Sequence, residues 1–114
     1  MKVGEAVEQS PLLVEVLPSL AKQIKHYFTN DISRFELGRQ VDTLRIKTLC
    51  DCGEPDCGSF YLTTYEEDGD IEEFNLDDIG TIETRNGLIT FIEIFSSPEG
   101  YHIRNTLKNN GVLY

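Results

Sequence analysis

Between Asp51 and Thr84 the chain has no lysine or arginine at all, against twelve aspartates and glutamates. A stretch with that balance repels a phosphate backbone, so the chain is expected not to bind nucleic acid through this half. Tryptophan is absent and histidine occurs only twice, at His26 and His102, with no nucleophile and base paired in sequence. That leaves little for nucleophilic or acid–base catalysis, and the chain reads as non-enzymatic. No run of 18 apolar residues occurs, which excludes a membrane-spanning helix. The first ten residues hold two acids and no continuous apolar region, unlike a secretory leader, so the expected compartment is the cytoplasm. Cysteine is confined to three positions, all between Cys50 and Cys57. An odd number without an export signal points to thiols or thiolate ligands rather than a disulfide framework.

What is present fits one small domain over residues 1–114, with residues 1–10 as a loose lead-in. A chain of 114 residues, 39% hydrophobic and 26% charged, is long enough to bury roughly 65% of its unfolded surface without a metal or disulfide. Charge is divided unevenly. Residues 1–50 hold seven bases against six acids and residues 51–114 three against fourteen, or +1 and −11, which sum to the net −10.

Leu12, Leu13, Val16 and Leu17 suit a short helical turn, after which Pro18 opens a longer helix, because proline is tolerated where a first-turn N–H has no partner anyway. Leu20, Ala21, Ile24, Tyr27 and Phe28 recur at three and four residues and form one apolar stripe. Residues 32–37 fit either a short strand or the end of this helical region. Residues 43–50 alternate, with Leu44, Ile46, Thr48 and Cys50 on one side and Thr43, Arg45, Lys47 and Leu49 on the other, as a half-buried strand does. Residues 59–65 alternate again, Phe60, Leu62 and Thr64 against Tyr61, Thr63 and Tyr65. Residues 71–76 form a further strand with Phe74 and Leu76 on one face.

Asn86-Gly87 is the strongest turn signal, since a two-residue type I′ hairpin needs positive φ at both central positions. The strand after it places Leu88, Thr90, Ile92 and Ile94 on one face and Ile89, Phe91 and Phe95 on the other. With both faces apolar it is predicted to be central and covered on each side. Ser97-Pro98-Glu99 starts a helix that continues through Ile103 and Leu107 to a stop at Gly111. The predicted fold is α+β: an N-terminal helical segment, an antiparallel meander of four to five strands, and a C-terminal helix packed on it.

Two features invite function. The Cys-x-Cys-x4-Cys pattern of Cys50, Cys52 and Cys57 suits a structural zinc knuckle, with His102, His26, Asp51 or Asp56 as the fourth ligand. In a flat strand Cys50 and Cys52 would lie about 6.6 Å apart, too far for one zinc, so the chain must curl. The other feature is the acidic block. Glu66, Glu67, Asp68, Asp70, Glu72, Glu73, Asp77 and Asp78 would attract a basic protein partner, and Tyr61 and Tyr65 supply rigid contact area beside them. In composition, a small acidic domain without a leader is similar to the bacterial immunity proteins that inhibit toxins. That likeness implies a non-enzymatic inhibitor of a basic toxin or nuclease, and the alternative is a small zinc-knuckle adaptor.

Overall fold

The computed structural model describes residues 10–30, 32–50, 52, 57–76, 79–95 and 97–112. A four-residue helix, α1 (Leu13–Val16), leads into α2 (Pro18–Thr29), with Pro18 in its first turn. Leu20, Ala21, Ile24 and Phe28 are buried along one stripe. Residues 32–37 resolve as helical structure: a 3-10 turn over Ile32–Arg34 and then α3 (Phe35–Gln40). A second 3-10 turn, Val41–Thr43, delivers the chain to the sheet.

Five antiparallel strands follow: β1 (Ile46–Leu49), β2 (Phe60–Leu62), β3 (Ile71–Leu76), β4 (Gly80–Arg85) and β5 (Leu88–Ile94). Their order is β1-β2-β5-β4-β3, so the run of hairpins is interrupted once, where the chain leaves β2 and crosses to the far edge. That crossing passes the β4–β5 turn, where Asn86 donates its backbone N–H to the Asp70 carbonyl and its side-chain oxygen accepts from the Asp70 N–H. Asn86 and Gly87 have φ of 53° and 81°, the two positive values that the type I′ turn requires. β5 is central, as its composition predicts.

Two irregularities change which residues face inward. Between Ile46 and Thr48 the β1–β2 register slips, so Leu49 joins Leu44 and Ile46 in the core while Thr48 turns to the other face. Opposite Glu83 and Thr84 the β5 strand carries one extra residue, Thr90, so Ile89 rather than Leu88 shares the buried side with Ile92 and Ile94. A one-residue slip inverts every side chain beyond it, and for that reason strict alternation assigns Leu49, Leu88 and Ile89 wrongly.

The inner face of the sheet packs on the helices through Phe60, Leu62, Phe74, Leu76 and Ile82. Phe28 closes this layer edge-on to Phe74, with centroids 5.2 Å apart. On the outer face Thr48, Tyr61, Glu83 and Phe91 are only half-buried, and Glu73, Asn75 and Glu93 are exposed. The cover expected on both sides of β5 is thus present on one side only among the described residues. The last helix, α4 (Ser97–Asn109), ends with the Gly111 N–H on the Lys108 carbonyl and the Val112 N–H on the Leu107 carbonyl, and Val112 docks in the core.

Candidate functional site

β1 stops at Leu49, and the Cys50 N–H then bonds the Ser59 carbonyl at 2.9 Å, closing the base of the cysteine loop. With strand geometry lost beyond that point, the Cys50, Cys52 and Cys57 sulfurs lie within 4.8 Å of one another, against the wider spacing of a flat strand. Cys52 is exposed; Cys50 and Cys57 are half-buried. A tetrahedral zinc with four bonds of about 2.3 Å needs sulfurs about 3.8 Å apart, so small side-chain rotations would bring the three into range.

The loop is fixed to the rest of the fold on its inner side. Ser59 accepts the Ile94 N–H on its hydroxyl at 2.9 Å. Gly58 packs so closely on α4 that a Cβ there would sit 2.8 Å from Gly100 Cα and 2.9 Å from its carbonyl oxygen. Arg104, almost fully buried, donates to the carbonyls of Cys57 at 3.1 Å and Cys50 at 3.4 Å.

His102 is not brought to the cysteines. It lies two positions before Arg104 on the same helix, a rotation of about 200°, so it points away from the loop and lines a groove with Leu17, Gln23 and Thr106. His26 is not in the cysteine group either, its imidazole 3.2 Å from the Asn30 side-chain amide. Among the described residues the group is therefore Cys50, Cys52 and Cys57, and Asp51 and Asp56 lie outside those residues. Arg104 escapes a reading of the sequence for ligands, although residues 100, 103, 104 and 107 trace the buried face of α4.

The Cys50 thiol is pushed up to about 11 from its ordinary 9.0, chiefly by burial, with the thiols of Cys52 and Cys57 adding to the effect and a backbone hydrogen bond from Cys52 opposing it. Because the folded value is raised, the stability tied to this group is fully present below about pH 9 and is lost as pH rises toward 11. In chelator-treated protein, alkylation of Cys50 should follow an apparent pKa near 11, moving toward 9 in denaturant. Mass-spectrometric rate profiles check this, and a Cys50 profile identical in both conditions would contradict it.

The second feature is the uncovered sheet face with its acidic surround. Tyr61 lies at the centre of an aromatic patch, 4.8 Å from Tyr65 and 4.6 Å from Phe91 between ring centroids. Arg85 sits over Tyr65 at 5.2 Å and bonds Glu83 at 3.3 Å. A shallow depression of about 300 Å³ opens beside them, lined by Lys47, Thr48, Tyr61, Tyr65 and Glu67. Tyr61 and Tyr65 thus share one face, as their spacing predicts, and pack on each other as well as facing solvent.

Glu66, Glu67, Asp68 and Asp70 are exposed on the crossing segment at the turn end of the sheet, and Glu72 and Glu73 continue along the β3 edge. Strand alternation sends the last two to opposite faces. Glu72 on the helical side faces Arg34 at 3.6 Å. With both partners substantially exposed, that pair is worth little. Among the described residues Glu66, Glu67, Asp68, Asp70 and Glu73 form no ion pair. Asp77 and Asp78 lie outside the described residues.

No helix of the described residues is long and apolar enough to cross a membrane. No family model, curated protein or solved structure matches the chain.

Proposed function

We propose that the protein is a non-enzymatic binding domain that docks a basic protein partner through the acidic end and edge of its sheet. In this reading it works in the cytoplasm as an immunity-type inhibitor of a basic toxin or nuclease, and it does not bind nucleic acid. The supporting observation is the run of exposed carboxylates from Glu66 to Glu73, on the crossing segment and the start of β3, of which Glu72 pairs with Arg34 and the others form no ion pair among the described residues. Such a surface accelerates encounter with a positive partner, and the Tyr61, Tyr65 and Phe91 patch beside it offers the large, stiff contact area that anchors an interface.

The immobilised protein is expected to capture a basic protein from cytosolic extract at low salt and release it at high salt. Changing Glu66, Glu67, Asp68, Asp70, Glu72 and Glu73 together to their amides should weaken binding of that purified partner at least about tenfold. Undiminished affinity in the amide variant would remove the proposal.

A second reading, a structural zinc module serving as an adaptor, is favoured by the gathering of three sulfurs within 4.8 Å. Cys50, Cys52 and Cys57 would hold the ion as thiolates, and the ion would supply a cross-link at the end of the β1–β2 hairpin. Binding must displace the Cys50 proton, so affinity should rise with pH. Native mass spectrometry should show one zinc per chain, lost on chelation together with thermal stability. A metal-free mass with folding unchanged would eliminate zinc.

A further inference from the structure

The two edges of the sheet are not alike. At the start of β1 the chain's own N-terminal segment covers the edge: Leu12 bridges Arg45, the Leu13 N–H bonds the Leu44 carbonyl at 2.9 Å, and the Ile46 N–H bonds the Pro11 carbonyl at 2.8 Å. Along β3 no described element pairs with the outer side.

The hydrogen-bond phase of β3 follows from its first contact. The Asp70 carbonyl accepts from the Asn86 N–H, so Asp70 turns its backbone groups toward β4. In the observed register Glu72 opposite Thr84, Phe74 opposite Ile82 and Leu76 opposite Gly80 do the same, because an antiparallel strand alternates between neighbours residue by residue. Ile71, Glu73 and Asn75 therefore aim their N–H and C=O groups outward. All three residues are exposed, and none has a hydrogen-bond partner on that side among the described residues.

An open edge of this kind is a template for another strand, which natural sheets commonly guard with charge. Here the strand's own charged side chains, Glu72 and Glu73, are both negative, with Arg34 set against Glu72 and over the Phe74 ring on the helical side. A second copy pairing along β3 would set Glu72 and Glu73 against the same carboxylates, whereas a lysine or arginine on the outer face of an incoming strand would lie opposite Glu73.

We infer that β3 is an acceptor edge for strand addition, and that the occupant is an extended segment of a basic protein with Lys or Arg at alternate positions, all on the outer face that carries Glu73. The inference rests on the acidic docking reading and adds its mode: backbone pairing to Ile71, Glu73 and Asn75 supplies the register, and the carboxylates select the charge.

The test uses the full chain and two labelled peptides of alternating lysine and valine, identical except that one carries N-methyl groups on alternate backbone nitrogens. Methylation keeps every charge and removes the donors along one edge. The plain peptide should bind by fluorescence anisotropy and slow amide exchange at Ile71, Glu73 and Asn75, while the methylated one should bind at least about tenfold more weakly. Glu73→Pro should lose the plain peptide yet keep the native circular dichroism spectrum, since proline fits an edge strand whose N–H faces outward. Glu73→Gln should retain most of the binding.

Equal affinity for the two peptides, or none for either, overturns strand addition. If both bind equally and both are lost in the six-residue amide variant, the acidic surface survives and only the mode falls. If binding is unchanged in that variant, the acidic docking reading falls with it.

Discussion

Gly80→Ala is expected to lower the stability of the fold by about 3 kcal/mol, a large share of the roughly 5–15 kcal/mol available to a domain of this size. Gly80 pairs with Leu76 on one side and Ile94 on the other, so it sits inside the sheet between the acidic edge strand and the central one. A Cβ built there would lie 1.7 Å from the Glu93 carbonyl oxygen and 3.1 Å from Ile94 Cα. Those atoms are backbone in β5 and can give way only by opening the β4–β5 ladder. Gly87 provides the comparison. Its φ of 81° disfavours a side chain by about 1–2 kcal/mol, but the space around it is open. Gly80→Ala should therefore shift the urea midpoint more than Gly87→Ala, with m unchanged in both. The reverse order would show that β4 and β5 do not approach as closely as described.

Arg104→Met should have the second largest effect, and on two observables at once. The substitution keeps much of the apolar stem and removes the guanidinium, leaving the Cys50 and Cys57 carbonyls without that donor. Replacing a buried ion by an apolar side chain is sometimes neutral, because desolvation of the charge is avoided. Here the abandoned carbonyls decide the sign, and a loss of about 2 kcal/mol is expected. Both acceptors belong to residues whose sulfurs form the cluster, so zinc affinity measured against a chromophoric chelator should fall as well. Stability lost with zinc affinity intact would mean that Arg104 supports the core and does nothing for the position of the sulfurs.

Much of the architecture is legible in the residue pattern. The Leu20, Ala21, Ile24 and Phe28 stripe, the Phe60 and Leu62 alternation against Tyr61, and the Asn86-Gly87 turn each report a local geometry that only one element satisfies. The extra residue in β5 and the slip in β1 are not legible, because alternation carries no mark of where it is broken. They moved Leu49 and Ile89 into the core and Leu88 out of it. The cysteine cluster is legible as a spacing, whereas the choice between His102 and Arg104 beneath it depends on the rotation of α4. The acidic count is plain from composition, but its placement along one end and one edge depends on β3 crossing to the far side of the sheet.

That crossing also bears on how the chain folds. β3, β4 and β5 are joined by short turns, as β1 and β2 are joined by the cysteine loop, while Phe60 and Ile92 meet across more than thirty residues of chain. Two quickly closing blocks are thus zipped along a single seam, and loop-closure entropy falls on that one late contact. Folding speed should accordingly be governed by the β2–β5 junction, the same line on which Tyr61 and Phe91 come together.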